Sequence, residues 1–194
     1  MITITRNEEL VLNQIKVLDA KYEDKIPFGE LKNELMVILK KCARTISAYD
    51  LMIATARMRE DGKYVQAQYR EKYLKIYIKY FIMRMKEVIE NNDDMDEKID
   101  AEKLKDSFHL LETTFEKERN YNDENDKFPL IYVITSLYTT FILEEPIHPV
   151  GSEFPGNLKV EIKNNTFLCP VKDNQKENPN AICHLCLAEQ TPNI

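Results

Sequence analysis

Six of the eight prolines in this 194-residue chain, Pro146, Pro149, Pro155, Pro170, Pro179 and Pro192, fall in its last quarter. Proline fixes φ and removes a backbone donor, so no long helix can cross that segment. Residues ahead of Pro146 follow the opposite pattern, with apolar side chains spaced by three and four. The partition predicts a helical domain over 1–145 and a Pro-rich module over 146–194, a hairpin and cysteine knuckle that binds metal and packs on the helices.

The spacing resolves into about six helices. Thr5 and Glu8 stand in capping-box register before Leu10, Val11, Ile15 and Leu18, which predicts the first. A second starts after Pro27, with Leu31, Leu35, Ile38, Cys42 and Ile46 on one stripe. Ser47 and Asp50 repeat the capping arrangement before Leu51, Ile53, Ala54 and Met58, and Asp61-Gly62 supplies a stop. The longest helix is predicted from about Tyr64 to Ile89, seamed by Leu74, Ile78, Phe81, Met85 and Val88. The acidic stretch from Glu90 to Glu97 reads as too charged to pack, and Leu104, Phe108, Leu111 and Phe115 mark the fifth helix. Phe128-Pro129 opens the sixth, apolar on nearly every side down to Leu143 and expected at the centre of the fold.

That last segment, the longest uncharged run, is too short for the roughly 20 residues of a membrane span and carries Thr135, Ser136, Thr139 and Thr140. The amino terminus lacks a basic segment followed by an apolar one. The expectation is a cytoplasmic chain, off the membrane, whose cysteines stay reduced unless ligated.

Beyond Pro146, Leu158 to Ile162 alternates inward and outward, Asn164-Asn165 can turn, and Thr166 to Cys169 can return as a second strand. That hairpin delivers Cys169 toward Cys183-His184-Leu185-Cys186, so three of the four cysteines lie within residues 169–186. Two thiolates separated by two residues can turn toward one ion across a tight loop. A redox dithiol would need only that pair, whereas a tetrahedral ion or cubane cluster needs four donors, so Cys169 favours metal. Cys42 is the remaining cysteine; it is a fourth ligand or a small core residue of its helical stripe. His184 and His148 are the substitutes. Cysteine-only zinc sites draw on two close pairs and only one is present here. A distant single cysteine with a group of three, and proline directly after Cys169, lean toward a four-iron iron–sulfur cluster, with zinc as the alternative.

The segment His148-Pro-Val-Gly-Ser-Glu-Phe-Pro-Gly156, followed by Phe-Leu-Cys169-Pro-Val-Lys-Asp and by Cys183-His-Leu-Cys186, resembles an uncharacterised family, a domain of unknown function, of methanogenic archaea. The likeness is specific over the last fifty or so residues and general elsewhere. It implies an anaerobic, cytoplasmic setting that suits an oxygen-sensitive cluster, and Cys169, Cys183 and Cys186 are its motif positions.

Charge supplies a rival reading. Residues 63–86 hold seven Lys or Arg against one Glu in a chain of net charge −6, and tyrosines interleave with them. Such a face can neutralise phosphates and stack bases. The fifteen acids and five bases of residues 87–126 can instead cover it from within. No Gly-rich phosphate loop, nucleophile elbow or histidine pair one helical turn apart is present. Any catalysis would centre on His148, Asp173 and the cysteines, with Glu144 and Glu145 reading as a helix end and turn. The expected function is metal-dependent assembly or electron-related work in a larger complex with a protein partner. The alternative is an interaction or nucleic-acid module with a structural zinc.

Overall fold

The computed structural model describes residues 31–118, 127–179 and 181–192. Five α-helices stand among them, and the first expected helix, over Thr5 to Leu18, lies outside the described residues. Helix α1 (Leu31–Ala43) buries Leu35, Met36, Leu39 and Cys42, and Lys40 and Lys41 sit in its last turn, where cations complement the helix dipole. Ile46 falls in the loop beyond, packed against the core.

Helix α2 (Ala48–Asp61) begins with the predicted capping box: Asp50 N donates to Ser47 Oγ at 3.2 Å, and Ser47 N donates to Asp50 Oδ2 at 2.7 Å. Lys127 Nζ reaches the same carboxylate at 3.3 Å, tying this cap to the start of the last helix. Burial raises the Asp50 carboxyl, but the Ser47 hydrogen bonds and the Lys127 ammonium outweigh it and hold it below its ordinary value. Ile53 does not join the core. It is 43 % exposed, because Leu51, Ala54 and Met58 define the inward stripe and Ile53 lies to one side of it. Gly62 also departs from expectation. Its φ of −60° is right-handed, and it opens a 3₁₀ turn (Gly62–Tyr64) rather than a left-handed cap. Close approach explains the glycine, since a Cβ there would stand 2.7 Å from Leu74 Cδ2.

Helix α3 (Ala67–Glu90) buries the predicted seam of Leu74, Ile78, Phe81, Met85 and Val88. Residues 91–100 form no regular element, yet they do pack, contrary to the expectation from their charge. Met95 N donates to Asn33 Oδ1 at 3.0 Å, Ile99 is buried, and Glu97 pairs with Lys32. The side chain of Lys32 is buried, ammonium included, and pairs with the exposed carboxylates Glu97 and Glu144, so a few anchors suffice to seat an acidic stretch. Helix α4 (Ala101–Glu118) turns Leu104, Phe108 and Leu111 inward; the side chain of Phe115 lies outside the described ones.

Helix α5 (Phe128–Leu137) carries proline in its first turn and packs against all four other helices. It runs on as a π-helical turn (Tyr138–Ile142), and every residue from Val133 to Ile142 is buried. Leu143 N donates to Tyr138 O at 3.0 Å and Glu145 N to Thr139 O at 2.9 Å, and Glu144 takes a left-handed φ of 53°. Glu144 then meets Lys32, and Glu145 meets Arg84 of α3. No helix among the described residues is long and apolar enough to cross a membrane.

The expected single hairpin becomes two small sheets. Strands β1 (Glu153–Phe154) and β2 (Leu158–Lys159) pair antiparallel. Val160, 1 % exposed, is the joint, and β3 (Glu161–Lys163) pairs antiparallel with β4 (Thr166–Cys169). Asn164 and Asn165 have φ of 51° and 63°, the left-handed pair that a two-residue turn requires. Ile162 points outward, 53 % exposed, so the inward alternation stops at Val160. A parallel strand, β5 (Glu189–Gln190), adds to β4 and was not expected from the sequence.

Burial sets the expected stabilities. Ile134→Ala should destabilise by about 3 kcal/mol and Ile53→Ala by less than about 0.5 kcal/mol, measured by urea unfolding. Ser47→Ala should remove about 1 kcal/mol. Because the folded pKa of Asp50 is depressed, its contribution is complete above the ordinary carboxylate pKa near ~4 and is lost as pH falls through the folded value. Asp50→Asn should flatten that acid-side loss in urea titrations at stepped pH.

Candidate functional site

Cys169 closes β4, 4 % exposed, packed with Val160 and Ala188 and against Cys186. The following turn keeps the Val171 and Lys172 backbone amides near enough to its sulfur to favour the thiolate. Ile182–His184 form a 3₁₀ turn, and Cys186 N donates to Cys183 O at 3.2 Å, which bends the two-residue spacer into a tight loop. The Ile147 amide donates to Cys186 Sγ at 3.4 Å, so the stretch leaving α5 runs directly beside the cysteine loop. Lys172 Nζ holds that loop through the Cys186 carbonyl at 2.8 Å.

Cys169, Cys183 and Cys186 thus share one region of the C-terminal segment, within electrostatic influence of one another. Burial pushes the Cys183 thiol up, and repulsion from Cys186 and Cys169 pushes it further, against the lowering effect of Lys172. Burial also raises Cys169, with Cys186 adding to it, while the backbone amides and Lys172 oppose. Both are neutral thiols near pH 7 when free. Cys42 stands apart in the helical core cluster, its thiol pushed up to about 11 by burial. Among the described residues, no three His, Cys, Asp or Glu side chains stand close enough to make a metal-ligand set.

The histidines separate just as sharply. His184 Nε2 lies 2.8 Å from Asn178 O on the exposed side of its turn. His148 sits in an aromatic enclosure, edge-on to Phe154 at 5.4 Å between centroids and within 6.2 Å of the Tyr73 and Tyr77 rings. Its ring is wrapped by protein, and burial lowers its pKa to about 4, so it is neutral at pH 7. Glu144 and Glu145 are engaged by Lys32 and Arg84 rather than facing His148.

Two features were not read from the sequence. Lys172 lies inside the Cys169-Pro170-Val171-Lys172 run, and its position three residues after a cysteine was the available signal. The second is a cavity of about 600 Å³ where the helices meet the C-terminal segment, with Tyr73, Tyr77, His148 and Cys183 in its wall. Tyr73 and Tyr77, read from the sequence among the tyrosines of a base-stacking face, stack on each other at 5.5 Å and line this cavity. The basic segment 63–86 is answered in part from within: Lys63 in the turn before α3, and Lys72, Arg84 and Lys86 on α3, each pair with an acid.

Residues 31–191 match a family model described as "Uncharacterized protein conserved in archaea (DUF2115)". A UPF0305 protein of Methanothermobacter thermautotrophicus is 30 % identical over 161 residues, covering 83 % of this chain and 97 % of the relative. The UPF0305 protein of Methanocaldococcus jannaschii is 34 % identical over 158 residues, covering 80 % of this chain and 94 % of the relative. No solved structure matches. The likeness therefore extends across the helices as well as the last fifty or so residues to which the sequence reading confined it. The chain belongs to this archaeal DUF2115 family, with UPF0305 relatives in methanogens.

Proposed function

We propose that the protein binds a metal centre through Cys169, Cys183 and Cys186, an iron–sulfur cluster in the first instance and zinc as the alternative. One observation carries the reading: Cys183 is within electrostatic reach of both other thiols, at a place where backbone amides are already turned toward sulfur. The donor chemistry fits. Amides near Cys169 and Cys186 and a lysine beside the loop are what a group of thiolates needs to bear its negative charge. The three sulfurs would have to draw closer on loading. The fourth donor is His148, the residue after the amide bonded to Cys186, Cys42 of the helical core, or His184, whose Nε2 is held by Asn178 O and whose Nδ1 is the nitrogen left to ligate. A bound cluster would supply a one-electron redox centre, suited to electron-related work or assembly in a larger complex. A zinc ion would supply only cross-linking of the C-terminal segment.

A protein-interaction module with a purely structural metal is the second reading. The observation favouring it is the exposed apolar face of Tyr49, Met52 and Ile53 on α2, with Val37 of α1 66 % exposed. The basic face of α3, paired in part from within, argues for protein over nucleic acid as the partner.

Anaerobically purified protein should contain iron and sulfide with a brown chromophore, or one zinc per chain, by elemental analysis and visible absorption. Cys169→Ala and Cys186→Ala should each lose most of the metal; a folded sample without metal would overturn the proposal. Among His148→Ala, Cys42→Ala and His184→Ala, the variant that loses metal identifies the fourth donor. Because Cys169 and Cys183 have raised thiol pKa values, loading near pH 7 should release protons and weaken as pH falls, readable in weakly buffered solution with an indicator dye.

A further inference from the structure

The cavity at the junction of helices and C-terminal segment shares only Cys183 and His148 with the metal reading. Its volume of about 600 Å³ lies within the range of small-molecule pockets, roughly 300–1,000 Å³. Helices α2 to α5 supply half of the lining residues, and Gly62, Val65, His148, Phe154 and residues between 171 and 183 supply the other half.

Two properties of that wall define what can enter. The first is charge. Asp61 is the one acidic lining residue, and no lysine or arginine lines the cavity among the described residues. An anion would meet a carboxylate and no counter-ion, so phosphorylated and carboxylate ligands are disfavoured. The second is ring surface. Tyr73, Tyr77, Phe128, Tyr132, His148 and Phe154 all contribute, giving the flat apolar contact that a planar molecule fills.

Polar side chains in the wall include Tyr73, Tyr77, Tyr132, Thr114, Asn174 and Gln175. Tyr73 and Tyr77 are partly exposed, lie one helical turn apart and stack on each other at 5.5 Å. Burial pushes the Tyr73 phenol up to about 12, with Cys183 adding to it. Burial likewise raises Tyr77, with Tyr73, Asp61 and Cys183 adding. Both stay protonated and can donate to a neutral acceptor at neutral pH.

We propose that this cavity is a binding site for an uncharged, largely apolar, planar organic molecule, held between aromatic walls with the Tyr73 and Tyr77 hydroxyls as its polar anchors. The site excludes anions through Asp61 and the lack of a lining cation. It does not depend on the metal reading, although Cys183 and the candidate donor His148 join the two places.

A matched pair of fluorescent probes tests this on the full chain. N-phenyl-1-naphthylamine is neutral, and 8-anilinonaphthalene-1-sulfonate is the same skeleton with a sulfonate. The neutral probe should bind saturably at one per chain with enhanced emission, and the sulfonate at least about tenfold more weakly, a difference of about 1.4 kcal/mol. Val65→Trp and Thr114→Trp each place bulk in the cavity from a partly exposed position and should abolish the neutral probe's binding while circular dichroism shows the fold intact. Asp61→Asn should tighten the sulfonate severalfold and leave the neutral probe unchanged. Equal binding of the two probes, no saturable site, or neutral-probe binding that survives in whichever Trp variant is folded would each overturn the proposal. Metal content measured on the same samples keeps this outcome separate from the fate of the thiol site.

Discussion

Burial of α5 is the constraint on which the other elements depend. The segment from Leu130 to Ile142 has almost no polar surface to offer water, so α1 to α4 surround it and their apolar stripes are set by that demand. The π-helical turn at its end accommodates an extra residue and swings Glu144 and Glu145 outward, to Lys32 and Arg84. Those two ion pairs fix where the chain leaves the helical core. They therefore also fix where Ile147 meets Cys186 and where His148 enters its aromatic enclosure.

The C-terminal segment has little core of its own. Val160, Cys169 and Ala188 are its buried centre, and strands of two to four residues cannot stand alone in water. It borrows stability by inserting Leu185 into the helical core and packing Ile147 and Ile182 against it. Surface ties add little individually: Lys72 to Glu153, and the Gly156 amide donating to the Tyr69 hydroxyl at 3.2 Å. A segment held this way leaves gaps where it meets its support, and the cavity beside Cys183 is such a gap.

Legibility followed the range of the interactions involved. The seam of α3, the capping box at Ser47 and the Asn164-Asn165 turn are local, written in residues three or four apart, and all three stand where the sequence puts them. The packing of residues 91–100 was misread because it hangs on Asn33 and Lys32, about sixty residues away, which no periodicity reports. Strand β5 escaped for the same reason, since two residues carry no pattern and its partner lies twenty positions upstream. At the thiols, the cysteine spacing was visible, but the amide of Ile147 and the enclosure of His148 are products of the path out of α5.

Strand β5 also gives the fold a mechanical property. Its parallel pairing with β4, extended by the Thr191 amide donating to the Cys169 carbonyl at 3.1 Å, ties both ends of the loop that carries Cys183 and Cys186 to one strand. Tension or steric load applied beyond Thr191 is therefore delivered first to the peptide of Cys169. The loop behaves as a purse drawn shut at its neck, and a pull at that neck reaches the sulfurs before it reaches the helices.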